Sequence, residues 1–135
     1  MPTLLMTFAA NNLPAVHNEA DKTWKSVEDY AKIKALKLED VDIEELTDAI
    51  IDHHADLFFF HFGGHASQRK VVLDSFKDLD KIRFARLLMP REKHLLQWVF
   101  LNGCSSYGHV GLLTAKGVKA IIATNVEVSD VTAAR

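Results

Sequence analysis

Short apolar runs alternate along the chain with longer segments in which apolar residues recur every three or four positions. The short runs predict buried strands at Thr3–Ala9, Asp56–Phe62, Trp98–Leu101 and Val118–Ala123. The helical spacing predicts helices from Pro14 to about Lys34, from Asp42 to about His53, over Leu79–Met89 and over Val110–Ala115. Strands that alternate with helices predict an α/β fold, a three-layer α/β/α sandwich with a mainly parallel sheet.

The phenylalanine-rich strand at Asp56–Phe62 is predicted to be central in the sheet. Phe58, Phe60 and Phe62 are expected on one face, and Leu57, Phe59 and His61 on the other. A strand that is apolar on both faces is typical of a sheet covered on both sides. Weaker patterns predict an edge strand within Ala35–Val41 and a hairpin strand at Val71–Leu73.

Side-chain chemistry adds further expectations at the level of single residues. Asp42 followed by Glu45 is typical of a capping box at a helix start. Glu19 belongs to the charged and therefore solvated face of the first predicted helix, whereas Trp24 and Trp98 are expected in the core.

Composition limits the class of protein. A length of 135 residues predicts one domain, residues 1–135, and a net charge of −2 without a basic stripe gives no reason to expect nucleic acid as a partner. The single cysteine forms no internal disulfide, which fits a reducing compartment. The start of the chain lacks a signal-peptide pattern, and no apolar run has the length of a membrane helix. We therefore expect a cytoplasmic protein without a membrane partner.

Two strands end in glycine-containing turns that carry a nucleophile and a base. Cys104 follows Trp98–Leu101 through Asn102-Gly103, and His65 follows the phenylalanine strand through Gly63-Gly64. Sites in open parallel sheets form beyond the carboxyl ends of the strands. The sequence therefore predicts that neighbouring parallel strands bring Cys104 and His65 to one edge of the sheet. The competing interpretations are a buried structural cysteine and an ordinary loop histidine.

Two other kinds of site are less well supported by the pattern. The spacing of four histidines fits no usual zinc pattern and no second cysteine is present, so we expect no metal at His53, His54, His61 and His65. A flavodoxin-like receiver or nucleotide-binding domain would need a glycine-rich phosphate loop after the first strand, and Phe8–Asn12 contains no glycine.

Three motifs together resemble one family of peptidases. They are His61-Phe62-Gly63-Gly64-His65-Ala66, Leu101-Asn102-Gly103-Cys104-Ser105-Ser106, and the strand Gly117–Thr124 with the turn Val128-Ser129-Asp130. In this order they resemble the CHAT-domain family of caspase-like cysteine peptidases, which have the caspase–hemoglobinase fold of clan CD and are related to separase. The resemblance covers nearly the whole chain. Ala66 departs from it, since many relatives have glycine there.

The resemblance implies a cysteine endopeptidase that hydrolyses peptide bonds in protein substrates and needs no cofactor. Cys104 would be the nucleophile and His65 the general acid/base, with the oxyanion held by backbone N–H groups of Gly64, Ala66 and Cys104. Glu127, close to Asp130, would bind a basic side chain of the substrate, so cleavage after basic residues is expected.

The resemblance also implies partners. Relatives continue past Asp130 with a further helix and strand, so residues 1–135 would be the large-subunit part of a caspase-like domain that lacks its C-terminal small-subunit part. A small subunit, or a sensor and activator module of bacterial signalling or anti-phage defence, is the expected partner besides the peptide substrate. The alternative is a catalytically inactive caspase-like signalling or interaction module.

Overall fold

The computed structural model describes residues 2–11, 14–27, 33–89, 96–103 and 106–123. The described strands are β1 (Thr3–Ala9), β2 (Lys34–Leu38), β3 (Leu57–Gly64), β4 (Lys70–Leu73), β5 (Lys77–Asp80), β6 (Trp98–Asn102) and β7 (Ala120–Ala123). The described helices are α1 (Pro14–Val27), α2 (Ile43–His53), α3 (Lys81–Leu88) and α4 (Val110–Ala115), with short 3-10 turns at Asp74–Phe76 and Ser106–His109.

Five strands form one sheet in the spatial order β2-β1-β3-β6-β7, and every pair in it is parallel. The remaining two strands, β4 and β5, form a separate antiparallel hairpin. The predicted α/β architecture with a parallel sheet is confirmed. β2 is an edge strand, and β4 is the hairpin strand that the valine pair predicted.

Helices cover both faces of the sheet, as predicted. On one face, Met6 and Phe8 of β1 pack with Val16 and Ala20 of α1. The cluster on the other face joins strand residues to helices α2, α3 and α4: Leu5, Phe60, Phe62, Leu46, Ile50, Phe84, Leu88 and Leu113. Burial of these apolar side chains on both faces is the main favourable contribution to the stability of the three layers.

The chain changes direction across the sheet between β1 and β3. From β1 it passes through α1 to β2 on one side, and then through α2 to β3 on the other side of β1. With right-handed crossovers, such a change places the two connections on opposite faces. The crevice between the carboxyl ends of β1 and β3 is the position where open α/β sheets bind ligands.

Two local predictions were wrong because the pairing of strands decides the outcome. Leu79 belongs to β5, because it pairs with Val71, and α3 begins only after the N-cap Asp80. A register shift at the start of the β1–β3 pairing places Leu57 in the core with Phe60, whereas Phe58 packs on the α1 face.

Three further expectations also fail. Glu19 is buried rather than solvated, with 7% of its surface exposed, and Trp98 is 48% exposed rather than in the core. The first helix does not extend to Lys34, since Lys34 begins β2.

The predicted cap of α2 is confirmed. The side chain of Asp42 accepts a hydrogen bond from the backbone N–H of Glu45 at 2.8 Å.

A membrane-spanning helix is not found among the described residues, since none of their helices is both long and apolar enough to cross a bilayer.

Candidate active site

The register of β3 and β6 aligns the two strands that carry the predicted site residues. The strands are adjacent and parallel, and Gly63 pairs with Asn102 at their carboxyl ends. His65 and Cys104 each follow two positions after that pair. Neighbouring strands lie about 4.8 Å apart, so this pair brings the carboxyl ends of β3 and β6 together.

Several predicted site residues fall outside the described part of the chain. They are Cys104, Glu127 and Asp130, together with Ser105 beside the cysteine. Among the predicted site residues, the structure therefore describes His65 with its neighbours Gly64 and Ala66. It also describes Asn102 and Gly103, which lead to Cys104.

Gly103 lies against the backbone on both sides of His65. A Cβ atom at Gly103 would lie 2.6 Å from the carbonyl oxygen of Gly64, 2.8 Å from Ala66 Cβ and 3.4 Å from Ala66 N. Real Cβ atoms do not approach other atoms this closely, so the contact requires glycine. The residue that precedes Cys104 is thereby packed between the two residues that flank His65.

The imidazole of His65 is held by the loop that follows β1. Its Nε2 lies 3.0 Å from the carbonyl oxygen of Asn11. A carbonyl oxygen only accepts hydrogen bonds, so Nε2 is the donor in this contact and Nδ1 is the other ring nitrogen. The ring of Phe76 lies beside the imidazole, with centroids 6.0 Å apart.

Asn11 connects this loop to the β4–β5 hairpin as well as to His65. Its Nδ2 donates to Leu73 O at 2.7 Å, and its Oδ1 accepts from Phe76 N–H at 3.2 Å. Asn11, Ser75 and Phe76 have positive φ angles of 40°, 59° and 56°. Asparagine tolerates left-handed backbone, but a bulky residue such as Phe76 is strained there, and strain of this kind gathers at functional sites.

Sequence reasoning missed this role of Asn11 and treated the residue only as the end of a strand. The available signal was an asparagine directly after the first strand, since asparagine tolerates the left-handed conformation and bonds to nearby backbone.

The backbone nitrogen of Ala66 lies beside the contact that Gly103 makes with Gly64 and Ala66. Ala66 pairs with Val71 in an isolated antiparallel bridge. The hydrogen bonds of that bridge are made by its neighbours, from Val72 N–H to His65 O and from Ser67 N–H to Lys70 O. The bridge therefore does not use the N–H of Ala66. The nitrogen of Ala66 faces Gly103, and thus the chain that leads to Cys104.

A cluster of buried polar side chains lies below the carboxyl edge of the sheet, on the face that α1 covers. Asn102 donates from Nδ2 to Oε2 of Glu19, and His61 Nε2 lies 3.9 Å from the other carboxylate oxygen. His61 sits between the rings of Phe8 and Phe100, with centroids 5.0 and 5.1 Å away. Burial lowers the pKa of His61 to about 4, so the ring is neutral at pH 7. His61 is thus a core histidine, as predicted.

A second buried histidine, His109, fixes the helical turn that follows the cysteine motif. Its Nε2 lies 3.0 Å from Ser67 O and 3.2 Å from Lys70 O, so it donates to the segment between His65 and β4. Burial lowers the pKa of His109 below the usual value, more than these carbonyl contacts raise it. Sequence reasoning did not identify His109.

The histidines considered for zinc are not brought together. His53 and His54 lie at the end of α2, before β3 begins, whereas His65 follows the far end of that strand. Across residues 2–11, 14–27, 33–89, 96–103 and 106–123, no three His, Cys, Asp or Glu side chains gather in a way that could hold a metal ion.

No protein-family model matches the chain, and no curated protein sequence matches it significantly. The residues described at the carboxyl edge of the sheet combine a held histidine with a close backbone contact at Gly103. In the sequence, the only cysteine follows Gly103 directly.

Proposed function

We propose that the chain is a cysteine endopeptidase of the CHAT, caspase-like type, with Cys104 as the nucleophile and His65 as the general acid/base. The observation that carries the proposal is the packing of Gly103 between Gly64 and Ala66 at the end of the paired strands β3 and β6. This contact brings the chain that leads to Cys104 against the residues that flank His65.

The reaction follows from the chemistry of the two side chains. The Cys104 thiolate adds to the scissile carbonyl carbon, and a C–S bond forms as the carbonyl oxygen takes the negative charge. The C–N bond then breaks, and the protonated His65 gives its Nδ1 proton to the leaving amine. Water then attacks the thioester carbonyl carbon and His65 accepts its proton. The C–S bond breaks, the carboxylic acid product leaves, and the Cys104 thiolate and protonated His65 are regenerated.

The carbonyl oxygen of Asn11 supports His65 in both protonation states. It accepts from Nε2–H in the neutral ring, which leaves Nδ1 as the base. When Nδ1 is protonated, the same carbonyl dipole stabilises the positive ring. The arrangement is consistent with a histidine that changes its proton at one nitrogen while the other holds the ring in place.

The oxyanion needs donors that are already in place before the reaction. The Ala66 N–H is the best supported donor, because its nitrogen faces Gly103 and the neighbouring bridge does not use it. The N–H groups of Gly64 and Cys104 complete the proposed set. A side chain at residue 66 does not interfere with this role, since the donor belongs to the backbone.

Substrate preference and biological setting remain predictions. Cleavage after basic residues depends on Glu127 and Asp130, which lie outside the described residues. A cytoplasmic role in bacterial signalling or defence, with a small subunit or sensor module as partner, is carried by the family resemblance alone. Fluorogenic peptides with arginine, lysine or aspartate before the scissile bond test the preference directly.

Alkylation of Cys104 tests the proposed pair, and labelling is unambiguous because the chain has one thiol. Iodoacetamide should label the wild type near pH 7 faster than a free cysteine, and His65→Ala should remove that excess. His53→Ala, at the end of α2 and thus near the opposite end of β3, is the matched histidine control. Peptide hydrolysis should disappear in Cys104→Ala. Ordinary thiol reactivity without dependence on His65, and no hydrolysis with any peptide or partner, would favour the inactive module.

A further inference from the structure

Glu19 is a buried carboxylate whose contacts converge on the ends of the two site strands. It lies on α1, and only 7% of its surface is exposed. Asn102, the last residue of β6, donates from Nδ2 to its Oε2. A Cβ at Gly63 would overlap its Oε1, so Gly63 leaves room for the carboxylate. The contacts of Glu19 thus meet the register pair that precedes His65 and Cys104.

Burial of this carboxylate costs free energy unless hydrogen bonds or other polar contacts offset the lost hydration. A charged group loses hydration when it is buried, and Glu19 occupies a helix that has solvent on its outer face. The neighbouring His61 ring is neutral at pH 7, at 3.9 Å from Oε1, and Phe8 closes the site from β1. Among the described residues, the hydrogen bond from Asn102 is a polar contact that joins Glu19 to the cysteine motif.

We infer that Glu19 is a positioning residue: through Asn102 it ties the end of β6 to α1 and sets the position of Gly103 against Gly64 and Ala66, from which the chain continues to Cys104. The role builds on the proposed function, since it assigns what holds the nucleophile in place. It is a role in hydrogen-bond geometry, because the Asn102 amide needs an acceptor at this position. A neutral acceptor of the same shape should therefore replace the carboxylate.

Exchange of the hydrogen-bond donor and acceptor between Asn102 and Glu19 tests the inference. Asn102→Asp places two carboxylates together and removes the donor, so alkylation of Cys104 should slow by at least about tenfold, with its pH midpoint displaced. Adding Glu19→Gln restores one donor and one acceptor in reversed order and keeps the total charge. The double variant should recover the rate of the wild type to within about threefold.

Simple substitutions at Glu19 give a second measurement should Asn102→Asp fail to fold. Glu19→Gln should alkylate at nearly the wild-type rate, and Glu19→Ala should show the same loss as Asn102→Asp. Ile50→Val, in the core under α2, is a control for reduced stability alone and should leave the alkylation profile unchanged. A double variant as slow as Asn102→Asp, or a Glu19→Ala protein with the wild-type profile, would overturn the inference.

The backbone amide resonance of Gly103 separates this inference from the proposed function. It should shift in Asn102→Asp and return toward the wild-type position in the double variant, whether or not any peptide is cleaved. If that recovery occurs while Cys104 shows no dependence on His65, the positioning role stands and the peptidase fails. If the amide does not respond while peptides are hydrolysed, the peptidase stands and the positioning role fails.

Discussion

Gly103 and Ala66 lie in direct contact across the ends of β6 and β3, so close that a Cβ at Gly103 would be 2.8 Å from the Cβ of Ala66. A carbonyl oxygen, that of Gly64, is closer still at 2.6 Å. Backbone cannot give way as a flexible side chain can. The close packing of β6 against the residues that flank His65 therefore depends on the absence of a methyl group at Gly103.

Gly103→Ala should displace the turn that carries Cys104. We expect a loss of about 1–3 kcal/mol in the free energy of unfolding, as for other overpacked sites. We also expect at least about a hundredfold loss of peptide hydrolysis, because misplacement by about 1 Å has that effect on catalysis. Denaturant unfolding and steady-state kinetics measure the two effects separately.

Gly111→Ala is the matched control for that substitution. No atom lies within 4 Å of a Cβ at Gly111, which is in α4. Alanine favours helix over glycine by about 1 kcal/mol, so the control should be slightly more stable and equally active. An active Gly103→Ala protein would contradict the assigned contact.

Asn11 should tolerate glycine better than alanine. Both substitutions remove the side-chain bonds to Leu73 and Phe76 and keep the carbonyl that holds His65. Alanine must also adopt the φ of 40°, which costs about 1 kcal/mol for a residue with a Cβ. We expect Asn11→Gly to unfold at a higher denaturant concentration than Asn11→Ala. Equal stabilities would show that the left-handed conformation is not retained in the variants.

Phe76 offers a similar comparison at the hairpin. Its ring is 57% exposed, lies beside His65, and its backbone has a φ of 56°. Phe76→Ala and Phe76→Gly should reduce kcat/KM for peptides to the same extent, because both remove the ring. Glycine relieves the left-handed strain, so Phe76→Gly should be more stable by about 1 kcal/mol. A different kcat/KM in the two variants would mean that backbone flexibility, rather than the ring, controls the site.

The elements of the fold were largely predictable because the spacing of apolar residues agrees with the residues that begin and end helices and strands in this sequence. β1 has the predicted bounds, Asp42 caps α2, and Gly117 follows α4 with a φ of 102°. Local patterns failed where pairing between distant segments decides the outcome. Leu79 fits a helical face, but the hairpin pairs it with Val71, and the shifted register at Leu57 is a property of two strands together.

The site was only partly predictable, for a related reason. Glycine-containing turns after two apolar strands indicated His65 and Cys104, and the adjacency of β3 and β6 confirmed the strand arrangement. Glu19 was wrongly expected in solvent, because its charge gives no sign that Asn102 meets it from 83 positions away. Asn11 acts on His65 through its carbonyl, and the side-chain pattern carries no information about a backbone contact.

Acid should destabilise the protein through its buried histidines. Unfolded His61 has a pKa of 6.5 and folded His61 one of about 4, so the unfolded chain binds more protons between these values. The contribution of His61 is complete above pH 6.5, and it decreases as the pH falls until it levels off near pH 4. Over that interval the free energy of unfolding should decrease by about 3 kcal/mol, since each pKa unit corresponds to about 1.4 kcal/mol.

The surroundings of the His61 ring decide the direction of its pKa shift and which variant tests it. Phe8 and Phe100 flank the buried His61 ring, and the loss of hydration there favours its neutral form. His61→Phe should therefore reduce the dependence of stability on pH between 7 and 5. A weaker decrease should remain, because the pKa of His109 is lowered in the same direction. Urea unfolding at several pH values measures this, and an unchanged slope in His61→Phe would assign the acid sensitivity to other groups.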